Sequence, residues 1–261
     1  MSGLFALTGR ELKKWYKQPF VLFISLVQPI IWMGLFGKAF NLGALAPPGS
    51  PGGFFGAADY FSYMAVGMLS FVVLFATMFS GMSIVWDRRL GFLNKVLSTP
   101  ASRGSIILSK VFIAVIRALT QAGIVLVAAV VLGLQVGAGF NPALLLGVFA
   151  ALFLMSVGLS SLFVAIAIRS TRWETQMAIM NLLNLPLLFA SNALFPTNLM
   201  PDWLRAFASV NPVTYGTDAA RQLILFAPNW TNVANDFLFL GGFAAIFATI
   251  GIVLSWRYLS K

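Results

Sequence analysis

The 261 residues are 59% hydrophobic and only 9% charged, with a mean hydropathy of +0.90. Soluble domains carry roughly 25% charged residues, so this is the balance of a bilayer protein. The net charge of +10 does not read as a nucleic-acid footprint, because the basic residues sit in short loops between apolar runs. The lack of Cys and His removes disulfides, thiolate metal sites and the commonest general base, so no metal site is expected.

Residues 2–18 (SGLFALTGRELKKWYKQ) place Leu4, Phe5, Leu7, Leu12 and Trp15 opposite Arg10, Lys13, Lys14 and Lys17. This pattern predicts an interfacial helix meeting anionic membrane lipid. A span needs about 20 mostly apolar residues. Six stretches qualify, near 20–40, 60–86, 106–134, 142–168, 175–195 and 234–256. Pro29 interrupts the first, and Pro142 opens the fourth at an N1-like position. The first apolar run is long for a signal sequence and is expected to stay uncleaved. Residues 41–59 are rich in Gly, Pro and Ala and read as an irregular loop.

Between the second and third spans lies a basic, amphipathic insert, WDRRLGFLNKVLSTPASRGSIILSK, from Trp86 to Lys110. Leu90, Leu93, Val96 and Leu97 fall at helical spacing, with Arg88, Arg89 and Lys95 as charged neighbours. Pro100 stops that helix, predicted over about 88–99. A short helix tethered on both sides to spans is suited to docking in a groove of a cytoplasmic partner.

Residues 196–233 are too long for a plain loop. Pro201 with Asp202 starts one short helix carrying Trp203, Leu204 and Phe207; Asn211 and Pro212 start another as N-cap and N1. Neither can span. Residues 199–226 are expected to form a re-entrant helical hairpin, which a bilayer permits only where the turn is buried in protein or faces water; a helix pair lying on the outer surface is the alternative. Asp218 and Arg221, three residues apart on the second helix, are in range to pair. In the fifth span Asn181, Asn184 and Ser191 share a face; they either line a translocation path or make interhelical hydrogen bonds. Arg117 in the third span can snorkel to the inner surface, with an ion pair or a coupling role as the alternative.

With the N-terminus inside, the inner segments hold 13 of the 17 basic residues: Arg10, Lys13, Lys14, Lys17, Arg88, Arg89, Lys95, Arg103, Lys110, Arg169, Arg172, Arg257 and Lys261. The positive-inside rule then predicts a multi-pass protein of the inner (cytoplasmic) membrane with both termini cytoplasmic. The whole of 1–261 reads as one all-α transmembrane domain. There is no Walker loop, no G-x-S-x-G and no H-E-x-x-H. No ATP site and no catalytic residue is therefore expected in this chain. A self-contained secondary transporter or channel is the alternative reading; it would need a midplane acid or an inverted repeat, and neither is visible.

Two stretches together resemble the membrane subunits of type-2 ABC exporters. One is DRRLGFLNKVLSTPASRGSIILSK at 87–110, and the other is FPTNLMPDWLRAFASVNPVTYGTDAAR at 195–221, with its F-P, L-x-P-x-W-L and N-P-x-x-Y motifs. The flavour is that of the drug-resistance and nodulation-factor branch, related to polysaccharide and teichoic-acid exporters. The resemblance implies an assembly of two permeases, as a homodimer, with two cytoplasmic ABC ATPase subunits that hold the ATP and Mg. It implies that Arg88, Arg89, Leu90, Leu93, Lys95, Val96 and Leu97 form the coupling helix seated on the ATPase. It likewise implies that Phe195, Pro201, Trp203, Asn211, Pro212, Tyr215, Asp218 and Arg221 belong to an outer re-entrant gate. The implied activity is export of an amphipathic or lipid-linked substrate (a drug, lipid or glycan), with no nucleic acid among the partners.

Overall fold

The computed structural model describes residues 2–39, 59–98, 102–170 and 172–258. Among these residues the chain is helical throughout, with no strand. The loop predicted at 41–59 lies outside them, except for Asp59.

The helices run α1 (Ser2–Tyr16), α2 (Pro19–Ala39), α3 (Tyr60–Arg89), α4 (Phe92–Leu97), α5 (Arg103–Val131), α6 (Leu144–Arg169), α7 (Trp173–Phe189), a 3-10 turn (Thr197–Leu199), α8 (Asp202–Ala208), α9 (Pro212–Ile224) and α10 (Trp230–Tyr258). Several starts follow from single residues. The Asp59 carboxylate accepts from Ser62 N and caps α3, and the Ser102 hydroxyl accepts from Ser105 N and caps α5. Pro19 opens α2, where a missing N–H costs nothing. The predicted opening of α6 at Pro142 shifts inward: Asn141 and Pro142 carbonyls accept from Leu144 and Leu145 in tight turns, and the helix proper begins at Leu144.

α3 is the axis. Its apolar face is continuous around the helix, and it packs against α2, α5, α6, α7 and α9. α6 forms the second buried column and carries α10 on its far side. α2 and α10 expose most of their apolar surface, as helices bordered by lipid do. Five helices (α2, α3, α5, α6 and α10) are long and apolar enough to cross a membrane. The stretch predicted as a fifth span, 175–195, is a helix of 17 residues followed by a turn over 190–196. At 1.5 Å per residue α7 covers about 26 Å, short of a hydrocarbon core of about 30 Å.

The predicted helix over 88–99 also divides. Arg88 and Arg89 close α3, Leu90 and Gly91 make a turn, and α4 is the six residues Phe92–Leu97. Gly91 sits at φ +69, a conformation that suits a residue without Cβ, and this reversal sets α4 apart from α3. Residues 99–101, with Pro100, lie outside the described residues.

Candidate functional site

The sequence-predicted residues gather at opposite ends of the bundle. The basic end holds α1, α4, the start of α5 and the junction of α6 with α7. Its centre is Lys110, 5% exposed, whose ammonium lies 3.1 Å from Glu11 of α1 and 2.5 Å from Asp87 of α3. Glu11 is shared further with Lys14 and Arg10, each at 3.5 Å. Burial would raise the Glu11 carboxyl, but Lys110, with help from Lys14 and Arg10, outweighs it and holds it below its ordinary value. This cluster ties the N-terminal helix to two of the long helices. It also corrects the expected face of α1: Leu7, Thr8 and Glu11 turn inward, while Phe5 and Leu12 are exposed. Glu11 is the single carboxylate in the basic segment 2–18, the one sign in the sequence that it had a partner elsewhere.

α4 is attached to this cluster. The Arg10 guanidinium lies 3.4 Å above the Phe92 ring, and Val96 is buried. Arg88 does not extend outward. Its two terminal nitrogens donate to the carbonyls of Ile168 and Ser170, both at 2.8 Å, and so cap the last turn of α6. Arg89, Leu90 and Lys95 remain exposed. The side chains of Leu93 and Leu97 lie outside the described residues.

The far end is organised by Arg221 of α9, which is 1% exposed. Its guanidinium donates to the carbonyls of Tyr63 (3.1 and 3.2 Å), Asn192 (2.5 Å) and Ala193 (2.8 Å), and it lies 3.5 Å over the Tyr63 ring. One side chain thus joins α9, α3 and the turn after α7. The expected pairing with Asp218 is not made: Arg221 turns into the bundle towards those carbonyls, and Asp218 accepts from the Asn192 amide at 3.4 Å. The approach requires Gly67, where a Cβ would meet the Ala193 carbonyl oxygen at 2.0 Å.

Asn211 serves two helices. Its side-chain oxygen accepts from Val213 N at the start of α9, and its amide donates to Leu187 (2.8 Å) and Ala190 (2.6 Å) at the end of α7. Pro212 follows as N1 and is buried. Nearly all of α9 is buried against α3, α6 and α10, whereas α8 exposes Trp203 and Phe207. Tyr215 donates to the Ser209 carbonyl at 2.6 Å and stacks on Phe239 with centroids 3.8 Å apart. Phe195 and Pro201 are exposed at the edge of this end.

A family model described as ABC-2 type transporter matches residues 2–225, the run from α1 to the end of α9. The chain belongs to the ABC-2 type transporter family. It is 30% identical over 224 residues to the transport permease ycf38 of Cyanophora paradoxa, covering 85% of this chain and 74% of that one. It is 23% identical to the daunorubicin resistance ABC transporter permease protein DrrB1 of Streptomyces coeruleorubidus, over 89% of this chain and 78% of the other. The doxorubicin resistance ABC transporter permease protein DrrC of Mycobacterium tuberculosis is 21% identical, over 97% and 87%. The chain is therefore a multi-pass transmembrane permease subunit of the ABC class and not the catalytic one; ATP hydrolysis belongs to a separate subunit.

In this ABC-2 permease Asn181 and Asn184, three residues apart on α7, are neighbours on the helix, but Ser191 does not continue their face. Asn184 is buried against the bundle, Asn181 is exposed, and Ser191 lies beyond the end of the helix, where its hydroxyl donates to Leu188 at 2.6 Å. The sequence grouping assumed a helix running to 195; the turn that begins at Ala190 breaks that register.

Proposed function

We propose that this permease is the transmembrane half of an ATP-driven exporter that moves an amphipathic or lipid-linked substrate out of the cytoplasm. Two copies form a homodimer, and two ABC ATPase subunits, which hold the ATP and Mg, sit at the basic end. That end faces the cytoplasm of the inner membrane, α7 with the turn after it completes a sixth crossing, and both termini are cytoplasmic. The asymmetry of basic residues supports this orientation. The names of the two drug-resistance relatives support the direction and the amphipathic substrate class.

The observation that carries the reading is the mounting of α4. A six-residue helix projects beyond a positive-φ glycine and presents Lys95 outward, with Leu90 exposed in the turn before it. Behind it, Arg10, Asp87 and Arg88 bind its base to α1, α5 and α6. A nucleotide can shift a two-state membrane protein only through contacts that differ between the states. In this chain α4 supplies that contact: the ATPases displace α4, and the buried ion cluster passes the displacement to α1, α3 and α5. At the other end α8 and α9 form the re-entrant gate, held shut by Arg221. Of the path residues proposed from the sequence, Asn181 is exposed on α7, with Gln28 on the open face of α2, whereas Asn184 and Ser191 are buried.

A tagged pull-down from the native membrane in mild detergent tests the reading. A P-loop ATPase recovered in equal amount with the permease is the expected result. Its absence, with transport still measurable in vesicles lacking ATP, would instead make the chain a secondary transporter.

A further inference from the structure

Arg117 of α5 sits seven residues, two turns, beyond Lys110. Its Nε–H is buried and has no hydrogen-bond partner. A guanidinium stays charged at every physiological pH and carries five donors. Leaving that buried donor unsatisfied inside a membrane protein is unfavourable. The obvious protein partners are taken. Glu11 is shared by Lys110, Lys14 and Arg10, and Asp87 is held by Lys110. Four cations thus face two carboxylates. The guanidinium borders a small cavity of about 10 Å³ lined by Glu11, Phe79, Ser80, Ser83, Lys110 and Arg117. That volume admits one oxygen atom, not a whole solute. The Ser80 and Ser83 hydroxyls donate to Thr77 and Ser80 carbonyls, so the free donors here belong to the cations.

The crevice lies between α1, α3 and α5, and the half-exposed Phe79 is part of its lining. Side chains of a helix lean towards its N-terminus, which carries the Arg117 guanidinium back to the level of α1. If α1 rests on the membrane surface, as its sequence predicts, that is the depth of lipid phosphates. Arg forks suit phosphate oxygens. We propose that this crevice binds the phosphate of an anionic phospholipid in the leaflet at the basic end, with Arg117 as its ligand. One phosphate oxygen enters the cavity beside Nε, the rest of the headgroup stays at the mouth, and the bound lipid wedges α1 against α3 and α5. The site rests on the surface placement of α1 but not on the direction of transport or the nature of the cargo.

Native mass spectrometry of the intact permease in detergent, titrated with phosphatidylglycerol, tests it. Wild type is expected to hold one lipid per chain that Arg117→Gln binds about tenfold more weakly or worse, the loss expected for a charge-assisted hydrogen bond. Ser83→Leu, which adds bulk to the cavity lining without changing charge, is expected to lose the same lipid and decides the matter should Arg117→Gln fail to fold. Phosphatidylcholine and millimolar inorganic phosphate are expected not to displace it. Equal lipid retention by wild type and a folded variant overturns the proposal. Displacement by inorganic phosphate alone overturns the lipid assignment in favour of a soluble phosphate.

Discussion

Arg221 and Glu11 show how much one buried charge can organise when its partners are well placed. Arg221 is fully buried, yet it meets no carboxylate; three backbone carbonyls and an aromatic ring replace its water. A lysine would keep the charge but not the fork that reaches two chain segments at once. Arg221→Lys is therefore expected to destabilise the permease by about 2–4 kcal/mol and to impair export, with the ATPase still copurifying. Thermal unfolding of the purified protein checks it; an unchanged midpoint would show that the clasp contributes little. Gly67→Ala is expected to do the same by pushing the Ala193 carbonyl out of place. Glu11 makes a pH prediction. Its carboxyl is held below the ordinary 4.5, so its contribution to stability is complete above that pH and disappears as pH falls through the lowered value. The unfolding temperature of wild type should be steady from neutral pH down to about pH 5 and drop below it. Glu11→Gln should start lower and lose that acid-dependent part. An identical acid limb in both proteins would mean that Glu11 does not titrate with unfolding.

The short elements matter through their mounts. α4 is only six residues and would not hold a helical conformation alone. It persists because Val96 and Phe92 are packed on the bundle under Arg10. Leu93→Asp or Leu97→Asp is expected to uncouple ATP hydrolysis from export without removing the permease from the membrane; normal export by an inserted mutant would contradict the role given to α4. The contrast between α8 and α9 is of the same kind. Both are short, but α9 is enclosed by α3, α6 and α10, while α8 leaves Trp203 and Phe207 exposed. The existence of these helices was legible from Asn211–Pro212 and from the spacing of Leu93, Val96 and Leu97. Their ends were not. Pattern reading joined Arg88 to the insert because both are basic, whereas its guanidinium belongs to the end of α6, 80 residues away in the chain. A carbonyl cap of that range leaves no local trace in sequence.

For the whole molecule, the distribution of exposed apolar surface sets the next test. α2 exposes Ile24, Gln28 and Ile31, and α7 exposes Leu182, Leu185 and Phe189. A cysteine-free chain permits clean single-site labelling. With the homodimer proposed above, Ile31→Cys or Leu182→Cys is expected to give an oxidised dimer in membranes. The reference is Val253→Cys on the exposed face of α10, which should remain monomeric. Equal cross-linking at all three sites would mean random collision in the bilayer.

The sequence by itself determined the class of the protein. Long apolar runs, the short basic insert and the motif-bearing segment 195–221 are local features, and bilayer energetics act on them locally, through length and charge position. The tertiary structure alone decided which charges meet. Lys110 finds Glu11 across 99 residues, and Arg221 finds Tyr63 across 158. Such pairings arise because a buried charge must satisfy every donor within reach of its folded position. That position depends on how the helices pack, which no single stretch of the chain contains.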